Sequence, residues 1–266
     1  MSGALLVAGL EVSVPGLDIF SRRRTSWAKL DPGDFRMRRT SWVRQIILHT
    51  TKGTHPQHVI PGKGPNGADK IVADFWRGDP EHSAAHIVID RDGSVACLAD
   101  LAAHCAYHAT TSNDWSVGLE LYQERNGGIY EAVLDAAVKL VPAICEILQI
   151  PFQIAGDDYA GKPIARMLTG GPDCVGIFGH RDNTDRRGRG DPGDEIYRRL
   201  IDAGAEPLWF AQRDDIEAWS RRQRRLVLWG ERLMVDGICG PSTLAAMRRR
   251  GFANGRELDA AVEAPL

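Results

Sequence analysis

The chain has 266 residues, 43% of them apolar, and a formal net charge of −2. That length suits one sizeable domain and something small beside it. The near-neutral balance excludes the global positive field expected of a nucleic-acid binder, so its arginine clusters read as solvated faces and loops.

Five cysteines (Cys97, Cys105, Cys145, Cys174, Cys239) are scattered with no C-x-x-C spacing. An odd count in a long chain argues against a disulfide framework, and small core residues are the expectation for them. The first twenty residues have no basic segment before their apolar run, and Glu11 follows at once. They do not read as a signal peptide, so the expectation is synthesis in the cytoplasm. No run of about 20 apolar residues is present to span a membrane.

In chain order, residues 1–42 read as an N-terminal extension, with Leu10–Val14 alternating like a strand and Pro15-Gly16 as a turn. Val43–His49 is an apolar, β-branched run of the kind buried in a parallel sheet. Lys52–Lys70 is rich in Gly and Pro and reads as a loop carrying His55 and His58. Asp69–Trp76 can form a short amphipathic helix. His86–Asp90 and Ser94–Leu98 are strands joined by Arg91-Asp92-Gly93, a hairpin turn with glycine where positive φ is needed.

Val117–Tyr122 alternates as another strand. Val117, Leu119 and Leu121 lie on one face, and Glu120 points the other way. A carboxylate on an apolar strand is costly unless it is paired or functional, and the pattern leaves open whether Glu120 faces solvent or takes part in chemistry. Tyr130–Ile150 has helical periodicity, with Pro142 expected to kink or divide it. Cys174–Gly179 is a strand and Glu195–Ala203 a helix. Strands alternating with helices, plus one tight hairpin, predict a mixed α/β fold with a central mixed β-sheet flanked by helices.

After a linker near 205–213 the composition shifts to Arg and helix formers. Residues 214–255 read as a small helical module. Ile216, Trp219, Gln223, Leu226 and Val227 follow one helix, Gly230 ends it, and a second helix begins with Ser242 or Thr243 as N-cap.

Two histidines close strands, His49 and His180, and Asp191 sits in a Gly-Asp-Pro-Gly turn. Two imidazoles and a carboxylate make a zinc-competent set, but spacing alone does not show that they converge. His104 and His108 lie four apart, which would suit a metal on a helix, although the helix there would be short.

Six short motifs occur in order: His-Thr at 49–50, Ser-Ala-Ala-His-Ile-Val-Ile-Asp-Arg-Asp-Gly at 83–93, Ala-Tyr-His-Ala at 106–109, Ser-Val-Gly-Leu-Glu-Leu at 116–121, Gly-His-Arg-Asp at 179–182 and Arg-Gly-Asp-Pro-Gly at 189–193. In this order they resemble the type 2 N-acetylmuramoyl-L-alanine amidases, a family that includes the peptidoglycan recognition proteins and several phage lysins. The resemblance covers residues 43–203, the expected zinc amidase domain within 43–205. It implies zinc as cofactor, with His49, His180 and Asp191 as ligands and Glu120 as the proton carrier. It also implies bacterial peptidoglycan as partner, cut between N-acetylmuramic acid and the L-alanine of the stem peptide.

Many bacterial relatives have a lysine two residues before the aspartate ligand, where this chain has Arg189. Arginine can stabilise an oxyanion but does not give up its proton at neutral pH, so an electrostatic role is expected of it, with Arg186 or Arg187 as substitutes. Tyr107 and His108 are expected to line the substrate groove, and His86 to line it or to serve the structure, not to bind the metal. Residues 216–252 resemble a three-helix peptidoglycan-binding module through Val-Asp-Gly-x-x-Gly-Pro-x-Thr at 235–243. The combined expectation is a wall-cutting enzyme that reaches peptidoglycan after release or injection, a phage or prophage endolysin. The alternatives are a secreted antibacterial effector and a recognition module that does not cut.

Overall fold

A computed structural model describes residues 3–26, 28, 30, 35–36, 39–51, 76, 83–124, 126–155, 175–183, 191–208, 216–233, 241–252, 257–258 and 261. The loop at 52–70, with His55 and His58, and His82 lie outside the described residues.

The strand Gln45–Thr50 (β5) is buried along its whole length. Its unbroken apolar run is explained by its place, because it has a sheet partner on each side and layers on both faces. It pairs in parallel with β11 (Gly176–Gly179) and with β9 (Ser116–Leu121). The sheet continues from β9 to β6 (Ile87–Ile89), β7 (Val95–Cys97) and β3 (Ile19–Ser21). On the other side β11 is followed by β10 (Gln153–Ala155) and β12 (Glu206–Leu208), giving eight strands. Only the β6–β7 hairpin is antiparallel, so the sheet is mixed as expected. Gly93 in its turn has φ +85°, and Asp92 Oδ1 accepts hydrogen bonds from the Ser94 N–H and hydroxyl.

Register divides the sheet into two faces. Ile46 and Leu48 of β5 lie beside Val117 and Leu119 of β9, and all four enter the main core. Covering that face is the helix Glu131–Leu148 (α1), through Val133, Leu134, Ala137, Leu140, Val141 and Ile144. Each of the Val, Leu and Ile side chains among them contributes about 1.5–3 kcal/mol on burial. Pro142 does not divide α1. Its missing N–H removes one hydrogen bond, but packing on both sides of it holds the helix through. Ile47, His49, Gly118 and Glu120 fall on the opposite face.

Residues 1–42 are more than an extension. β1 (Leu5–Val7) and β2 (Leu10–Val12) form a hairpin across Ala8-Gly9, both with positive φ. β3 is the edge strand of the main sheet, and β4 (Phe35–Arg36) pairs with β8 (Cys105–Ala106). Residues 206–208, read as linker, form the opposite edge, where Pro207 is tolerated because an edge strand can spare an N–H.

The hairpin is fastened by Asp100. Its Oδ1 accepts the N–H groups of Ala8, Ala102 and Ala103 at 2.9, 3.0 and 2.8 Å, and its Oδ2 that of Gly9 at 2.7 Å. Burial works to raise this carboxyl, but the four amides outweigh it and hold it below the usual range. Asp100→Asn places an NH2 group against one of these donors. We expect a loss of about 2 kcal/mol. A depressed folded pKa stabilises above the unfolded value of about 3.9 and is lost as pH falls through the folded value. Thermal unfolding of both forms between neutral and strongly acidic pH checks this: the gap between them should close only at the acid end.

The helices Ile216–Leu228 (α4) and Pro241–Arg249 (α5) have their own core of Leu226, Ala246, Met247 and Leu258. Gly230, with φ +90°, follows the end of α4 as expected. Pro241 opens α5, where its lack of an N–H costs nothing, so Ser242 and Thr243 are not the N-cap. Thr243 Oγ1 instead accepts a buried hydrogen bond from Gln223 Nε2 at 3.1 Å. Residues 235–240 of the glycine motif lie outside the described residues. No helix among the described residues is long and apolar enough to cross a membrane.

Candidate metal centre and hydrolytic site

The site lies at the carboxyl ends of the central parallel strands, where an open α/β sheet presents its crevice. His49 is the fifth residue of β5. Its register partner on β9 is Glu120, so the two side chains share a face on strands roughly 4.8 Å apart. Glu120 is half-buried on that face, with Oε2 closed off from solvent. His180 follows the last residue of β11 and opens the short helix His180–Asn183 (α2).

Asp191 reaches the strand ends from its turn. Its Oδ1 accepts the Thr50 N–H at 2.9 Å, its Oδ2 lies 3.3 Å from His180 Nδ1, and its carbonyl accepts the Arg181 N–H at 2.7 Å. His49 Nδ1 stands 2.9 Å from His180 Nδ1. One ligand-competent atom from each of His49, His180 and Asp191 falls within 4.8 Å of the others, and all three residues are buried. Two imidazole nitrogens and a carboxylate oxygen, brought together across 142 residues of chain, fit a divalent ion with an open position for water.

The turn into α2 is braced from behind. Asp182 Oδ2 accepts hydrogen bonds from the Gly179 N–H and the Tyr197 hydroxyl, both at 2.7 Å. Tyr197 belongs to the helix Asp194–Asp202 (α3). Burial pushes the Asp182 carboxyl up to about 6 against these two donors and Arg181. A Cβ on Gly179 would overlap the Tyr197 hydroxyl and the Pro192 ring, so only glycine lets both close on the His180 turn.

The remaining histidines take separate places, and His86 takes the structural one of its two expected roles. His86 has no exposed surface, so it does not line a groove. Its Nδ1 accepts the Gly118 N–H at 3.0 Å, and its Nε2 lies 2.7 Å from Arg39 Nη2. Burial, then the Arg39 charge, lowers its pKa well below the usual value and keeps it neutral. Arg39 is itself buried and donates to the carbonyls of Asn113, Asp114 and Ser116. His108 is half-buried and turned inward, with Nδ1 3.0 Å from His49 Nε2. Burial and Arg39 push it down to about 3. Tyr107 is half-buried and remains available to a groove.

His104 accepts the Asp100 N–H at Nδ1 and meets Arg22 there, and Cys105–Ala106 is a strand. The four-residue helical pairing of His104 with His108 therefore does not form. Burial pushes the Cys97 and Cys145 thiols up to about 12, so neither is a nucleophile at neutral pH. Arg186, Arg187 and Arg189 lie outside the described residues.

Among solved structures the chain is similar to a peptidoglycan recognition protein, PGRP-Hd from Alvinella pompejana, at 16% identity and TM-score 0.39, over 50% of this chain and 81% of that one. It is similar to a selenomethionine derivative of AmpD at 18% identity and TM-score 0.39, over 65% and 98%. It is also similar to a mutant endolysin from Bacillus subtilis at 14% identity and TM-score 0.38, over 70% and 93%. No curated protein matches the chain. The N-acetylmuramoyl-L-alanine amidase family model matches residues 38–194, which include β5, β9 and β11 together with His49, Glu120, His180 and Asp191. The chain therefore belongs to the N-acetylmuramoyl-L-alanine amidase family.

Proposed function

We propose that the protein is a zinc-dependent amidase that cuts the bond between N-acetylmuramic acid and the L-alanine of the stem peptide. The convergence of His49, His180 and Asp191 on one point, with Glu120 in register beside them, is the observation that carries this reading. Zinc held by these three residues would supply Lewis acidity and a water of lowered pKa. Glu120 accepts the proton of the attacking water at its carboxylate and returns it to the amide nitrogen as the C–N bond breaks. Thr50 N–H and the Arg181 N–H hold Asp191 in place through this cycle. Tyr107 lines the groove for the stem peptide. Arg189 stabilises negative charge on the scissile carbonyl oxygen, as a cation that keeps its proton.

The helices α4 and α5 hold the enzyme on intact wall. A cutting domain followed by a wall-holding module supports a bacteriolytic role, that of a phage or prophage endolysin. Purified protein incubated with sacculi, with and without a chelator, tests the reading. Mass spectrometry should find new L-alanine amino termini that vanish with chelator and return with added zinc. New reducing sugar ends in their place would make the protein a glycosidase and end the proposal.

A further inference from the structure

On the side of His49 away from His180, the ring meets His108, which in turn meets Ser116. We infer that His108 is a positioning residue that fixes the tautomer of His49, leaving the Nδ1 lone pair free for the metal. This rests on the metal reading above.

Ser116 is buried at the first position of β9. Its hydroxyl donates to the Ser112 carbonyl at 2.6 Å, which uses its one proton. His108 Nε2 lies 3.1 Å from the same hydroxyl oxygen, so in this pair the ring nitrogen must donate. A neutral imidazole has one N–H, and with it on Nε2 the Nδ1 atom of His108 is an acceptor. His49 Nε2 lies 3.0 Å from that acceptor and must therefore hold the proton of the His49 ring. The His49 Nδ1 lone pair is left facing His180 Nδ1 at 2.9 Å and the Asp191 carboxylate beyond. A metal-binding imidazole needs its outer N–H fixed in this way.

Two further features keep the His108 ring where the chain requires it. Asn113 Oδ1 accepts the backbone N–H groups of His108 and Ala109, at 2.9 and 2.6 Å. Gly118 of β9 leaves the space for the ring, since a Cβ there would stand 2.5 Å from His108 Cγ and 2.7 Å from Nδ1. The glycine of the Ser-Val-Gly-Leu-Glu-Leu strand thus serves the site from the position two residues before Glu120.

The test measures zinc affinity by competition with a chelating dye, on full-length wild type, His108→Ala, His108→Asn and Ser116→Ala. Thermal unfolding of each metal-free protein serves as the fold control. Long-range proton–nitrogen spectra of the histidine rings report the His49 tautomer. His108→Ala should bind zinc 10- to 100-fold more weakly, with His49 divided between its two tautomers. His108→Asn offers a side-chain oxygen near the position of Nδ1 and should recover most of the affinity. Ser116→Ala keeps the ring but removes its acceptor and should fall between wild type and His108→Ala, and it decides the matter if His108→Ala does not fold. Wild-type affinity in a folded His108→Ala or Ser116→Ala, with His49 still protonated at Nε2, overturns the inference alone. Failure of the wild type to bind zinc overturns the metal reading instead.

Discussion

Glu120→Gln is expected to remove nearly all hydrolysis of the wall while leaving fold and metal content unchanged. The amide has the size of the carboxylate but cannot take a proton from water, and the loss expected for a general base is about 10²- to 10⁴-fold in kcat. That corresponds to roughly 3–5 kcal/mol of transition-state stabilisation. Little else should change, because Glu120 sits half-buried on the site face while Val117, Leu119 and Leu121 carry the packing of its strand. The rate of release of L-alanine amino termini from sacculi, zinc content by elemental analysis and the melting temperature together check it. A variant within about threefold of wild-type rate, at equal zinc content, would take Glu120 out of the mechanism.

Asp191→Asn has the second large effect, and it separates the metal from the fold. The amide oxygen still accepts the Thr50 N–H, so the turn stays joined to β5. What is lost is the negative charge on the atom that faces His180 Nδ1. Zinc affinity should drop by about 100-fold or more, the upper end of what neighbouring groups alone achieve, because a ligand itself is altered. Activity should fall to background. Stability provides an independent readout. A ligand that binds only the folded state at 100 times its Kd stabilises by about 2.7 kcal/mol, so wild-type protein should melt higher with zinc and lower with chelator. Asp191→Asn should show almost no such shift. A full zinc-dependent shift in the variant would mean that Asp191 is not a ligand.

Both effects depend on one register. Because His49 pairs with Glu120 in a parallel ladder, a slip of one residue would turn either side chain into the core. The apolar residues of β5 and β9 prevent that slip. Ile46, Leu48, Val117 and Leu119 are fully buried on the opposite face, and exchanging them for His49 and Glu120 would bury polar groups without partners. The core and the site are thus two faces of the same alternation.

Several elements were legible in the sequence by themselves. Period-two alternation in Val117–Tyr122, the unbroken apolar run before His49 and the turn at Arg91–Gly93 are local signals, and the strands β9, β5 and the β6–β7 hairpin follow them closely. The helical period of Tyr130–Ile150 is equally local, and α1 follows it. Weaker segments were not legible. Ile19–Ser21, Gln153–Ala155 and Glu206–Leu208 are strands of three residues, too short for any period to register. They exist because neighbouring strands of an eight-stranded sheet offered them partners.

The candidate site divides in the same manner. Residue types and motif order named His49, His180, Asp191 and Glu120, since each stands at a strand end, in a turn or on a strand face that its neighbours define. The functions of Arg39, His86, His108, Ser116 and Gly118 depend on contacts between segments that no local pattern links. The sequence left His86 between a groove and a structural role and gave His108 to the groove; in the structure His86 braces the Gly118 backbone and His108 faces His49 Nε2. The sequence by itself determined which side chains are competent to hold a metal, because that is a property of residue type, while the part of Glu120 in moving a proton came from the family that its motif order resembles. Only the tertiary structure decided that Nδ1 of His49 faces His180 and Nε2 faces His108, because that depends on a partner 59 residues away.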